Sequence, residues 1–342
     1  MSMMRGFRAA LAGLLVATCG LTATAAADPL AKEVFGAHRL PAATQAAAHG
    51  FYNKGCFAGG VAIATDGPNW QSMRLSRNRR WGHPDMIALL ERFSREAVQD
   101  GWPGLLIGDV SQPRGGPMLS GHASHQIGLD ADIWFLPMPT NRRLSAAERE
   151  KTEFVSLLRS NSLQVDDRKW TSAHAALLKR AASYPNVERV LVHPGIKKKL
   201  CDTVTGDRSW LRKVRPIWGH DSHFHIRIGC PTGSPGCRPQ EAVARGEGCD
   251  QSLAWWFTDE PWRGSGGPEP VRARDVMRLS ALPNACRAVL SAPAPASEQV
   301  VTIGGSGGAP VIATTTAAPV AAHAYAPTPE RTIPLPQPRP FN

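Results

Sequence analysis

His223-Phe224-His225-Ile226-Arg227-Ile228 alternates polar and apolar residues with a period of two. As a strand it sends His223, His225 and Arg227 to one face and Phe224, Ile226 and Ile228 to the other. The apolar set anchors the strand in a core, which leaves both imidazoles pointing into a cleft. A second strand is expected over 129–135, LDADIWF, with Asp132 near its start and Ile133 and Phe135 turned inward. Just before it, Gly121-His122-Ala123-Ser124-His125-Gln126-Ile127-Gly128 carries two more histidines on a turn loosened by Gly128. The chain holds eleven histidines. Five of them fall in these stretches and in His220, three residues upstream of His223.

Working outward, GLLIGDV at 104–110 and VERVLV at 187–192 read as short buried strands. Pro84 opens a helix with Ile87, Leu90, Phe93 and Ala97 on one side, and Gly101 ends it. Ser145-x-x-Glu148 is a capping box ahead of a helix expected to run to about Arg159, and another helix is expected over 172–183. Strands mixed with helices, without regular βαβ spacing, indicate an α+β fold: a small antiparallel sheet core with flanking helices and long loops.

At 342 residues, with 42% hydrophobic and 20% charged residues, the chain is globular in composition, and wholesale disorder is excluded. Its formal charge of +11 suits an anionic partner or surface. Arg5 and Arg8, an apolar run from Ala9 to Leu21 and Ala25-Ala26-Ala27 read as a signal peptide over 1–27, so export is expected. No later apolar run is long enough to span a bilayer. Export leaves six cysteines after Cys19 is removed, an even number that reads as three disulfides with 15 possible pairings. A zinc ribbon is excluded, because no C-x2-C pair occurs. From Ser291 the composition turns to Ala, Pro, Thr and Gly, so 28–290 reads as one domain and 291–342 as an Ala/Pro-rich disordered tail.

Clustered His and Asp is what a catalytic zinc site needs, namely three protein ligands and one open position. H-x-H on one strand and H-x6-D ahead of another nominate His225 or His223 with His125 and Asp132. His122 is either a further ligand or a group that orients His125. His38, His49, His83, His174 and His193 read as ordinary hydrogen-bonding histidines. Neither H-E-x-x-H nor S-x-x-K occurs, which excludes a zincin helix and an acylable serine of the penicillin-binding type.

SHQIGLDAD (124–132) followed much later by HFH (223–225) resembles the metallopeptidases that include lysostaphin-type and D-alanyl-D-alanine peptidases. RRWGHPD (79–85), LIGDVSQPRGG (106–116), GHASHQIGLDADIW (121–134) and LRKVRPIWGHDSHFHIR (211–227) resemble the penicillin-insensitive murein endopeptidases more closely. That resemblance spans about Gly55 to Cys286. It implies zinc on His125, Asp132 and His225 with His122 close by, and His223 and His220 assisting catalysis. It also implies the disulfides Cys56–Cys286, Cys201–Cys249 and Cys230–Cys237. Some members carry a second metal site, Asp-x-x-His, where this chain reads Asn161-Ser162-Leu163-Gln164, so one zinc is expected.

The activity so implied is periplasmic hydrolysis of D-alanyl–meso-diaminopimelyl cross-links by zinc-activated water, insensitive to penicillin. Peptidoglycan stem peptides are then the partner. Arg79, Arg80, Arg114 and above all Arg227 are candidates to hold their carboxylates. The alternatives are a D,D-carboxypeptidase or dipeptidase on the same fold, and a non-catalytic exported binding module with a structural metal. Nucleic-acid binding is the poorest reading, since no interleaved basic–aromatic motif occurs.

Overall fold

A computed structural model describes residues 27–263 and 271–304. The expected signal peptide, apart from Ala27, and the tail beyond Gly304 lie outside the described residues.

The strand His223–Ile228 forms with the expected bounds and lies third in a seven-stranded sheet. From one edge the order is Val214–Pro216, Val187–Val192, His223–Ile228, Asp130–Trp134, Leu105–Ile107, Trp70–Ser72 and Asp66–Gly67. His223–Ile228 runs antiparallel to both neighbours. Its register places His225 opposite Asp132 and Arg227 opposite Asp130. Because side chains alternate, that register brings the polar faces of the two strands together.

The small antiparallel sheet expected from sequence needs correcting, although the α+β class holds. The sheet is mixed, with Trp70–Ser72 parallel to Leu105–Ile107 and Val214–Pro216 parallel to Val187–Val192. Strands of three residues are too short to show an alternation, and their partners are reached by crossovers through the helices Pro84–Gln99 and Pro194–Thr203. Two smaller sheets flank this one. In one of them Thr302–Ile303 pairs parallel with Val61–Ile63, so residues 292–304, read from composition as tail, are described and dock a strand on the domain.

The apolar face of the His223 strand meets the core as the alternation requires. Phe224, Ile226 and Ile228 are buried, and the Phe224 ring lies 5.3 Å from Phe135 and 6.3 Å from Phe93 of the helix Pro84–Gln99. That helix starts at Pro84 with the His83 ring accepting from the Asp85 amide, and Gly101 at φ +85° turns the chain away. The helix Ser172–Ser183 has the bounds that sequence suggests.

The helix after Ser145 is shorter than expected. Its capping box forms, but it ends at Lys151 rather than near Arg159. Arg74 reaches across from elsewhere in the chain and donates to the carbonyls of Arg149, Glu150 and Thr152, which holds the backbone out of a further turn. Lys197 lies in the first half of the helix Pro194–Thr203 and, although it belongs to a run of three lysines, is fully buried. Its ammonium donates to the carbonyls of Leu211 and Glu247, and burial lowers its pKa to about 7. Three disulfides, Cys56–Cys286, Cys201–Cys249 and Cys230–Cys237, are the pairs that the resemblance implies. Among the described residues no helix is long and apolar enough to cross a membrane.

Candidate metal centre

The strand register and the turn before Asp130 gather the histidines around one carboxylate. Asp132 is buried, and three imidazole nitrogens face it: His125 Nε2 at 3.4 Å, His122 Nε2 at 3.4 Å and His225 Nδ1 at 3.2 Å. His223 Nε2 lies further off, at 3.9 Å. His220 lies beside His223, with ring centroids 4.8 Å apart and the rings tilted by 40°. Two overlapping groups have donor atoms within 4.8 Å of one another, His122 with His125 and Asp132, and Asp132 with His220 and His223. His225 joins them through its contact with Asp132.

Hydrogen bonds fix which ring nitrogen is bare. His125 Nδ1 lies 2.6 Å from the Val110 carbonyl, which can only accept, so Nδ1 carries the proton and Nε2 offers its lone pair to the cluster. His220 Nδ1 bonds the Trp218 carbonyl at 2.8 Å, which likewise leaves its Nε2 bare. His225 uses the opposite tautomer: Nε2 donates to Asp130 Oδ1 at 2.8 Å, and Nδ1 faces Asp132. His122 differs, because its Nε2 lies 3.0 Å from Asp109 Oδ2, and binding a cation through that atom means giving up this bond.

The donors fit a metal ion. Of the four buried side-chain polar atoms with no hydrogen-bond partner among the described residues, three are here: His125 Nε2, Asp132 Oδ1 and His223 Nδ1. Buried polar atoms are almost always satisfied, so His125 Nε2 and Asp132 Oδ1, unpaired and 3.4 Å apart, mark a place for a cation. The spacing agrees, since zinc bonds of about 2.0–2.1 Å in a tetrahedron set the ligand atoms about 3.3–3.4 Å apart. The nitrogens of His125, His122 and His225 lie 3.2–3.4 Å from the Asp132 oxygens.

The electrostatics favour an ionised Asp132. Burial opposes charge on Asp132, but His125, His122 and His223 outweigh it and hold its pKa well below the usual carboxylate range. Burial lowers the pKa of His122, His220 and His223. His125 is the exception: burial is opposed by Asp132 and Asp130, and its pKa is raised. His125 and His220 also sit at φ +65° and +59°, a left-handed conformation rarely used by residues with a Cβ and common at functional sites.

Two carboxylates that sequence reasoning passed over back the cluster. Asp130 is reached by His225, Arg227 and the His125 amide, and Asp109 by Arg77, Arg79 and His122. Asp130 had a signal in the sequence, for Asp-Ala-Asp on a strand puts both carboxylates on one face. Asp109 had none, since its partners come from separate parts of the chain.

The arginines nominated as substrate contacts are all engaged inside the protein. Arg114, 2% exposed, donates to the carbonyls of Val289 and Leu290. Arg227, 5% exposed, donates to Asp130 and Gln240 and lies 3.7 Å from the Tyr52 ring centroid. Arg79 is held by Asp109 and Ser120, and Arg80 by the Ile63 carbonyl and Glu298. A guanidinium buried this deeply needs fixed acceptors, and Arg114 and Arg227 find theirs inside the protein. Of the histidines read as ordinary, His83, His174 and His193 accept backbone N–H bonds at the starts of helices.

The family described as penicillin-insensitive murein endopeptidase matches residues 48–291. A protein of that name from Haemophilus influenzae is 45% identical over 210 residues, covering 61% of this chain and 72% of the relative. Another, from Salmonella arizonae, is 38% identical over 253 residues, covering 74% of this chain and 88% of the relative.

Proposed function

Because the chain belongs to the penicillin-insensitive murein endopeptidase family, we propose that it is an exported zinc endopeptidase of the periplasm. Its substrate is the D-alanyl–meso-diaminopimelyl cross-link between peptidoglycan stem peptides. The observation that carries the reading is the ring of imidazole nitrogens 3.2–3.4 Å from the buried Asp132 carboxylate, with His125 Nε2 and Asp132 Oδ1 left unpaired.

His125 through Nε2, His225 through Nδ1 and the Asp132 carboxylate hold one zinc, and His122 stands beside them, tethered to Asp109. When bound, zinc supplies Lewis acidity toward the scissile carbonyl and lowers the pKa of a water toward about 7. His223 is kept neutral at pH 7 by burial, so its Nε2, on the Asp132 side, accepts the proton of the attacking water and returns it to the leaving amine. His220 keeps Nε2 bare through its bond to the Trp218 carbonyl and accepts a hydrogen bond from the substrate. Phe154, 46% exposed and 6.1 Å from the His223 ring, forms an apolar wall against which a stem peptide packs.

Nothing in this set of groups is acylated by a β-lactam. The test is digestion of purified cross-linked muropeptide dimers by the full chain. Dimers are expected to become monomers in the presence of benzylpenicillin, and cleavage to stop with a chelator and return with zinc. Loss of terminal D-alanine with dimers left intact, or cleavage that resists chelator, overturns the reading.

A further inference from the structure

We propose that Asp130 is the positioning residue of this metal centre, one carboxylate that sets both the tautomer of His225 and the turn that carries His125. The proposal rests on the metal-binding part of the reading above and not on the bond that is cut.

Asp130 is wholly buried, and each of its oxygens is occupied. Oδ2 accepts the backbone N–H of His125 at 2.9 Å, and Oδ1 accepts from His225 Nε2 at 2.8 Å and from Arg227 Nε at 2.6 Å. A carboxylate offers only acceptors, so the proton of His225 must sit on Nε2 and the lone pair of Nδ1 must face Asp132. At the same time the bond to the His125 amide holds a residue at φ +65°, where an imidazole-bearing backbone is not held by its own preference. The two histidines are 100 residues apart in the chain, and this one side chain is bonded to both. Arg227 lies opposite Asp130 in the strand register and is itself held by Gln240 and the Tyr52 ring, so the carboxylate cannot swing away.

Asparagine at this position is the informative change. It keeps the shape, but its amide nitrogen is a donor and all three partners are donors, so at least one bond becomes a repulsion. Groups that orient ligand histidines in this way typically change metal affinity by about 10–100-fold when removed. Asp66→Asn serves as the comparison: it weakens a part-buried pair with Arg149 at the far edge of the same sheet, away from the histidines.

Two measurements decide it, both independent of peptide cleavage. Zinc affinity by chelator competition is expected to fall about 10–100-fold in Asp130→Asn and to stay within about twofold in Asp66→Asn. Long-range ¹H–¹⁵N spectra of the zinc-free wild-type protein are expected to show His225 protonated at Nε2, and Asp130→Asn to lose that preference. A wild-type His225 protonated at Nδ1, or an Asp130→Asn protein that binds zinc within about twofold of wild type, overturns the proposal. If Asp130→Asn does not fold, the wild-type tautomer decides alone. A chain that behaves as expected in both measurements and cuts no muropeptide upholds this inference while sinking the peptidase reading.

Discussion

Replacing Arg227 with methionine separates a scaffold arginine from a substrate contact. The guanidinium is 2.6 Å from the fully buried Asp130, and removing one partner of such a pair leaves an uncompensated buried charge, which costs about 3–5 kcal/mol. The Tyr52 ring centroid, 3.7 Å from the guanidinium carbon, adds about 1 kcal/mol for a desolvated cation–π contact. The total of about 4–6 kcal/mol is a large fraction of the stability of an ordinary domain, about 5–15 kcal/mol. At roughly 2–4 °C per kcal/mol for a domain near this size, the melting temperature of Arg227→Met should fall by about 8–24 °C. The assay is thermal and urea unfolding with the disulfides intact, alongside Arg142→Ala. Arg142 pairs with Glu148 at the exposed surface, where solvent screens such a bridge and it contributes little. At a temperature where Arg227→Met stays folded, and with zinc saturating, its KM for muropeptide should lie within about twofold of wild type. A melting temperature within about 2 °C of wild type together with a KM raised tenfold or more would refute the scaffold assignment and restore Arg227 as a substrate contact.

Acid should destabilise the fold through histidines outside the metal centre. Burial lowers the pKa of His174 and His193 to about 4, below the 6.5 of the unfolded chain, so the unfolded state binds more protons and stability falls as pH drops through 6.5 toward 4. From pH 7 to pH 5 each contributes a loss of about 2 kcal/mol, and replacing either with a non-titrating residue should flatten a plot of urea stability against pH. A slope unchanged by both replacements would place the acid sensitivity elsewhere. His225→Ala should lose most of its zinc by metal analysis and essentially all activity, since it removes one ligand from a small set; full occupancy would take His225 out of that set. His223→Ala should instead keep its zinc and lose rate by roughly 10²–10⁴-fold with an unshifted melting temperature, while wild-type turnover would make His223 scaffolding.

What the sequence determined by itself is whatever short-range periodicity and composition encode. The alternation in His223–Ile228 set the strand bounds, the polar face and the core face, because a strand's geometry repeats every two residues regardless of its neighbours. Pro84 and the Ser145–Glu148 box located helix starts for the same local reason. The five histidines and Asp132 could be named because metal chemistry demands those residue types at close spacing. Their disulfide companions came only with the resemblance, since six cysteines alone permit 15 pairings.

Tertiary structure decided everything that depends on who meets whom. The helix after Ser145 stops at Lys151 because a side chain 75 residues upstream takes its carbonyls, and no window around 145–159 contains that information. The parallel strand pairs, the burial of Lys197 and the internal partners of Arg114 and Arg227 are decided in the same way. An arginine beside a cleft and an arginine pinned beneath it look identical in sequence, because charge and size are the same and only the surrounding acceptors differ. Asp130 and Asp109 owe their place behind the histidines to strand register and to loops that converge in space, and long-range register is fixed only when the whole sheet closes around its core.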